Sequence, residues 1–176
     1  MKTIRLTDCG GPYRDAMELY KMSFPAHEQR EVRSQESIMS DPGYHFELVY
    51  DGDTWAAVML YWETASFVYL EHFCVFPELR GKKYGRRALE LLGEKGKTVI
   101  LEIDPPVDEI SVRRKGFYER AGYTANEFRH VHPPYHKGNA GHELVVMSYP
   151  RALSREEYDG FSRYLAGVVM AGAFDE

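Results

Sequence analysis

Two groups of residues in this chain have the types and spacing for chemistry. The first is a basic stretch with two glycines, Arg80-Gly-Lys-Lys-Tyr-Gly-Arg86. It follows an apolar run over 67–76 that reads as a buried strand, and Pro77 stops that run. Beyond it Tyr84, Ala88, Leu91 and Leu92 recur at i, i+4, i+7 and i+8, the apolar face of a helix. Strand, basic turn and helix in that order suit a phosphate, because free backbone N–H groups and the positive end of the helix dipole meet at one point. Gly81 and Gly85 remove side chains where a ligand approaches the backbone. The second group is a pair of carboxylates, Glu71 and Glu102, set inside apolar strands. A charge there is out of place unless it is paired or functional. By period 2, Glu71 shares a face with Tyr69 and Phe73. A buried ion pair to Arg113 or Arg114 is the structural alternative for either acid.

Other reactive side chains give weaker signals. Cys74 has no histidine and aspartate arranged around it, and a buried strand cysteine is usually inert. His130, His132, His136 and His142 cluster in sequence, but their spacing matches no helical pair or finger, so no metal is expected. The basic stretch itself has two bland readings, a solvated charged face and a nucleic-acid patch. Neither needs the glycines or the strand–helix frame. The net charge of −5 also speaks against duplex nucleic acid and for a small anionic ligand. No apolar run is long enough for a membrane span, no apolar segment follows Met1-Lys-Thr-Ile-Arg5, and Cys9 and Cys74 have no disulfide or metal spacing. A cytoplasmic protein is expected.

The elements that must position these groups can be read in order. A strand over 2–6 precedes a helix that starts at Pro12 and ends before Pro25. A polar linker carries His27, Glu28 and Arg30, and Ser34 can cap a short helix through Met39. Strands over 44–50 and 54–62 flank the Asp51-Gly52-Asp53 hairpin turn. The strand over 98–103 follows the helix after the basic turn, so it should lie parallel to the strand over 67–76. A helix over 109–121 turns Ile110, Phe117 and Ala121 inward and stops at Gly122. Tyr123 opens a strand, 131–141 form a loop, and 143–149 form the last strand. Ser154-Arg-Glu-Glu157 fits a capping box before an amphipathic helix carrying Tyr158, Phe161, Leu165, Val168 and Val169. Residues 1–150 read as one catalytic domain and 151–176 as a helical extension packed on it or on a partner subunit.

The basic turn resembles motif A of the GNAT-type N-acetyltransferase superfamily, Arg/Gln-x-x-Gly-x-Gly/Ala after a strand. Arg80 and Gly85 match its first and last positions, and Lys83 stands at the middle glycine. Lys83 must therefore avoid positive φ or adopt it at a steric cost. Phe117-Tyr-Glu-Arg-Ala-Gly-Tyr123 resembles the family's Phe-Tyr-x-x-x-Gly-Phe motif. The resemblance implies an α/β fold with a mixed, mostly antiparallel sheet and helices on both faces, the C-terminal helix being an addition. It implies acetyl-CoA as co-substrate, with pantetheine along Phe73, Cys74 and Val75 and pyrophosphate on Gly81, Lys82, Lys83, Tyr84, Gly85 and Arg86 beside Arg80. Ser111 stands where the family has a cofactor-contacting asparagine.

The same resemblance assigns roles. Tyr118 would protonate the leaving thiolate, and Glu71 or Glu102 would take the proton of the amine. Glu28 and Arg30 would border the acceptor, with Tyr135 in a loop over it. Acetyl transfer to a primary amine of a small molecule, by direct attack in a ternary complex, is the expected activity. A protein lysine or N-terminus as acceptor, and an acyl-CoA-binding regulatory module without turnover, remain alternatives. A homodimer is compatible with the C-terminal helix. The acidic balance and the two strand glutamates favour a cationic acceptor.

Overall fold

The computed structural model describes residues 1–174, so the end of the expected extension, 175–176, lies outside the described residues. Eight strands form the sheet: β1 (Lys2–Leu6), β2 (Tyr44–Asp51), β3 (Thr54–Glu63), β4 (Phe67–Val75), β5 (Thr98–Ile103), β6 (Thr124–Ala125), β7 (His130–His132) and β8 (His142–Tyr149). Their order is β1-β2-β3-β4-β5-β8-β6, with β7 also on β8. Among the described residues only β4 and β5 pair in parallel. A helix, α3 (Tyr84–Gly93), connects them, as a parallel crossover requires. The sheet is thus mixed and mostly antiparallel, as the motifs implied.

Helices cover both faces. On one side α1 (Tyr13–Ser23) and α5 (Arg155–Tyr164) bury Tyr20, Phe161 and their neighbours against Phe46, Trp62 and Tyr69. A single π-helical turn, Leu165–Val169, extends α5 into the same core. On the other side α3 and α4 (Glu109–Arg120) bury Leu89, Leu92 and Tyr118 against Met59, Val68 and Leu101. No helix among the described residues is long and apolar enough to cross a membrane.

Two irregularities in β4 build the site. The ladder between β4 and β5 runs from Phe67↔Thr98 to Leu70↔Leu101 and stops there. From Glu71 to Val75 the edge of β4 has no partner on β5, so the two strands splay apart. On its other edge β4 is bulged: Leu60 pairs with His72 and Tyr61 with Leu70, leaving Glu71 unmatched. The bulge reverses the alternation. Phe67 and Tyr69 face the first core before it, but Cys74 faces that core after it, while Phe73 and Val75 turn to the second. The expected common face of Glu71, Tyr69 and Phe73 is therefore corrected: Phe73 lies opposite.

Local expectations shift elsewhere. The helix α2 (Val32–Ile38) starts before Ser34, whose hydroxyl instead accepts from Arg30 Nη1 at 3.2 Å. Ile110 is exposed, because an Asp108–Ser111 capping box sets the start of α4 and its inward face differently. Tyr123 is followed by only two strand residues, and the expected loop over 131–141 begins inside β7. Val168 is half-exposed, since the π turn carries it outward.

Candidate active site

A pocket of about 960 Å³ opens where β4 and β5 part. Its two ends differ in charge. Arg80, Lys83 and Arg86 line the end at the start of α3, while Glu28, Glu71, Glu102 and Asp104 line the other, where Arg114 pairs with Asp104.

The basic end is built on the N-terminus of α3. Both α4 and α5 begin with a capping box, whereas no side chain caps α3. Its first N–H groups are left for a ligand. Gly81 has φ of 75° and Lys83 has φ of 67°, the only positive φ at a non-glycine among the described residues. Lys83 thus takes the strained option at the family's glycine position, a cost of roughly 1–2 kcal/mol for an L-residue. Gly85 is needed for packing: a Cβ there would sit 3.1 Å from Phe117 Cζ. Arg80 folds back, its Nε donating to the Val75 carbonyl at 3.2 Å. Arg80, Gly81, Lys83, Gly85 and Arg86 line the pocket, while Lys82 and Tyr84 belong to the same turn without lining it. Replacing Lys83 with glycine should raise stability by up to about 1 kcal/mol, the relieved strain less the entropy of a new glycine. Chemical denaturation checks this; a loss of stability would mean that φ at this position carries no strain.

Phe73, Cys74 and Val75 line the pocket along the unpaired edge of β4. Burial pushes the Cys74 thiol up to about 11, as expected of an inert cysteine. Tyr118 also lines the pocket and is buried. Burial, partly offset by Arg114, pushes its phenol up to about 12. Its hydroxyl has no hydrogen-bond partner among the described residues. Ser111 is different: its hydroxyl accepts from the Asp108 N–H and donates to Asp108, closing the cap of α4, and it does not line the pocket. Ser111 thus lies apart from the pocket that most of the other expected cofactor residues share.

At the acidic end Glu71 is almost wholly buried, its side chain 1% exposed. Its Oε1 accepts from Arg30 Nη2 at 2.7 Å and from the Tyr135 hydroxyl at 3.0 Å, and its Oε2 accepts from Trp62 Nε1 at 2.8 Å. Burial alone would raise this carboxyl, but Arg30 and the hydrogen bonds override it and hold it at about 2. Such a group is a poor proton acceptor at neutral pH. Arg30 is no exposed linker residue: its backbone N–H donates to the Tyr20 hydroxyl and its Nη2 also donates to the Val169 carbonyl at 2.8 Å. The ion pair expected with Arg113 or Arg114 is made by Arg30, while those two arginines bind Glu109 and Asp104.

Glu102 is equally enclosed. Oε2 accepts from the Tyr69 hydroxyl and Oε1 is bonded to His130 Nε2. The Tyr158 hydroxyl lies 3.0 Å from His130 Nδ1 and 3.2 Å from the Arg129 carbonyl. Burial opposes the charge of Glu102, yet His130 and the other partners hold the carboxyl below its usual range. Beside it His132 Nδ1 lies 2.6 Å from the Pro133 carbonyl, and Nε2 lies 3.9 Å from Glu102 Oε2. On β4, His72 Nε2 donates to the Glu28 carbonyl at 3.0 Å, and burial lowers its pKa, so this ring is neutral. Glu28 is half-buried, and burial with Asp104 nearby raises its carboxyl.

The structure thus brings Glu28, Glu71, Glu102, Tyr118 and Tyr135 to one pocket and sets Arg30 behind Glu71. Sequence reasoning missed His72, His132 and Asp104 as lining residues. Only the bulge turns His72 inward. His132 was visible only as one of four clustered histidines, weighed together as metal ligands and not singly as a lining residue.

A family model for the acetyltransferase (GNAT) family matches residues 13–123. A protein of Bacteroides thetaiotaomicron assigned to the GNAT acetyltransferases superposes with a TM-score of 0.84 at 32% identity, over 90% of this chain and 91% of its own. An aminoglycoside 6'-N-acetyltransferase complexed with coenzyme A shares the fold, with TM-score 0.57 and 14% identity over 84% and 96% of the two chains. A ribosomal-protein alanine N-acetyltransferase of Escherichia coli does so too, with TM-score 0.56 and 18% identity over 88% and 96%. No curated protein matches the sequence significantly. With the splayed β4–β5 edge, the uncapped α3 turn and both motifs in one pocket, the chain belongs to the GNAT acetyltransferase family, whose co-substrate is acetyl-CoA.

Proposed function

We propose that the chain acetylates a primary amine of a small cationic molecule, by direct attack of the amine on acetyl-CoA in a ternary complex. The observation that carries this reading is the charge division of the pocket. Three basic side chains of the α3 turn line one end, and four carboxylates, with Arg30 on Glu71 and Arg114 on Asp104, line the other. A pyrophosphate suits the first end and an ammonium the second.

The geometry supports a role for each group. The N–H groups at the start of α3, with Arg80, Lys83 and Arg86, hold the pyrophosphate. The unpaired edge of β4 at Phe73, Cys74 and Val75 takes the pantetheine arm as an added strand and aims backbone N–H groups at the thioester carbonyl. Acetyl-CoA supplies an activated acyl group, and Tyr118 supplies the proton for the leaving sulfur from an unengaged hydroxyl. Glu28 and Tyr135 border the acceptor. Glu71 holds Tyr135 and Arg30 in place and does not itself move a proton. The free cysteines Cys9 and Cys74 suit a reducing, cytoplasmic setting.

The test measures thiol release from acetyl-CoA with a panel of diamines, amino sugars and short peptides. Turnover with small dicationic amines, above that with peptides, is the expected result. Turnover confined to peptides would move the acceptor to a protein. A thermal shift with acetyl-CoA but no turnover with any amine would leave a binding module.

A further inference from the structure

We infer that Nε2 of His132 is the atom that takes the proton of the acceptor's ammonium, which makes His132 the general base of the transfer. The inference rests on the acetyl-transfer reading above and deepens it. It starts from hydrogen bonding. The Pro133 carbonyl can only accept, so at 2.6 Å it fixes a proton on His132 Nδ1. In the neutral ring the lone pair is then on Nε2. That atom is buried and has no hydrogen-bond partner, although His132 lines the pocket. A buried polar atom without a partner needs an explanation, and a ligand's N–H supplies one. Imidazole is also the side chain whose protonation changes near neutral pH.

The surroundings favour a transient imidazolium. Glu102 Oε2 lies 3.9 Å from Nε2, close enough to attract the cation that forms. Tyr135 packs its ring 4.9 Å from the His132 ring, His72 faces the same space from β4, and His142 lies opposite on β8. The two fully enclosed carboxylates compete poorly for the proton. Glu71 is saturated by Arg30, Trp62 and Tyr135, and Glu102 by Tyr69 and His130.

The step balances. The ammonium gives one proton to Nε2, and the freed nitrogen lone pair forms the N–C bond as the C–S bond breaks. The thiolate takes the Tyr118 proton, the second proton leaving the new amide nitrogen restores the phenol, and Nε2 returns its proton to solvent. No oxidant or further reactant is needed.

The experiment is the pH–rate profile of kcat/KM with the best amine of the panel, for wild type and His132→Asn. Asparagine keeps an N–H for the Pro133 carbonyl and removes Nε2; His132→Gln serves if the first variant is unfolded by circular dichroism. We expect a loss of about 10²–10³-fold at pH 7, within the range for general bases. The deficit should shrink as pH rises towards about 10.4, where half of a primary amine is already free of its extra proton. Acetyl-CoA binding should be unchanged, and imidazole should restore rate to His132→Ala. A pH-independent deficit, or a rate within threefold of wild type, overturns the proposal while leaving acetyl transfer intact. If wild type itself binds acetyl-CoA and acetylates no amine, the broader reading fails and takes this one with it.

Discussion

Replacing Arg30 with methionine should destabilise the protein by about 3–5 kcal/mol, the effect of leaving one buried charge without its partner. The guanidinium and the Glu71 carboxylate are each 1% exposed. Methionine fills part of the volume but leaves the carboxylate with only the neutral donors of Trp62 and Tyr135. It also strips the Val169 carbonyl of its bond. In a chain of this size the melting temperature should fall by roughly 6–20 °C. Removing both charges, in Arg30→Met with Glu71→Gln, should recover much of the loss, because an absent pair costs less than a broken one. The pH dependence has a definite sign. The folded Glu71 carboxyl is lowered to about 2 from 4.5, so its contribution is full above pH 4.5 and is lost as pH falls towards 2. The gap between wild type and Arg30→Met should therefore narrow in acid. A loss below 1 kcal/mol at pH 7 would show that water reaches this pair.

Tyr118→Phe should lower kcat by at least about 10²-fold, with acetyl-CoA binding unchanged. The phenol is held at about 12 by burial, so it remains protonated until the sulfur departs. Its hydroxyl has no partner among the described residues, so removing it should change stability by no more than about 0.5 kcal/mol. That combination separates the tyrosine from a packing residue, whose loss would show in denaturation before it showed in rate. Steady-state kinetics with a fluorescence titration of acetyl-CoA distinguishes the two. An unchanged kcat would pass the proton to solvent.

The basic end of the pocket was legible in the sequence because its parts are local. Arg80, Gly81 and Gly85 adjoin one another, and the strand and helix around them follow from period alone. Even the strain at Lys83 could be posed as a question, and the structure answers it with φ of 67°. The acceptor end is assembled from five segments, and no period links them. Glu71 could be flagged as a misplaced charge, but its partner Arg30 lies 41 positions away, in what read as an exposed linker. The bulge at Glu71 leaves no sequence signature, yet it decides that His72 and Cys74 face the first core. Ser111 shows a local constraint that went unread: Asp108, three residues before, holds its hydroxyl in the cap of α4.

The bond from Arg30 to the Val169 carbonyl spans 139 positions and sets an order of events during synthesis. The strands that receive the nucleotide end are all made by Ile103. A ribosome adding 5–20 residues per second needs roughly another 3–13 s to reach Val169, 66 residues later. Throughout that interval the Arg30–Glu71 pair lacks its last neighbour, and His132 does not yet exist for the first part of it. The nascent chain therefore completes the basic turn and α3 before it makes the segments that carry His132 and the last neighbour of Arg30.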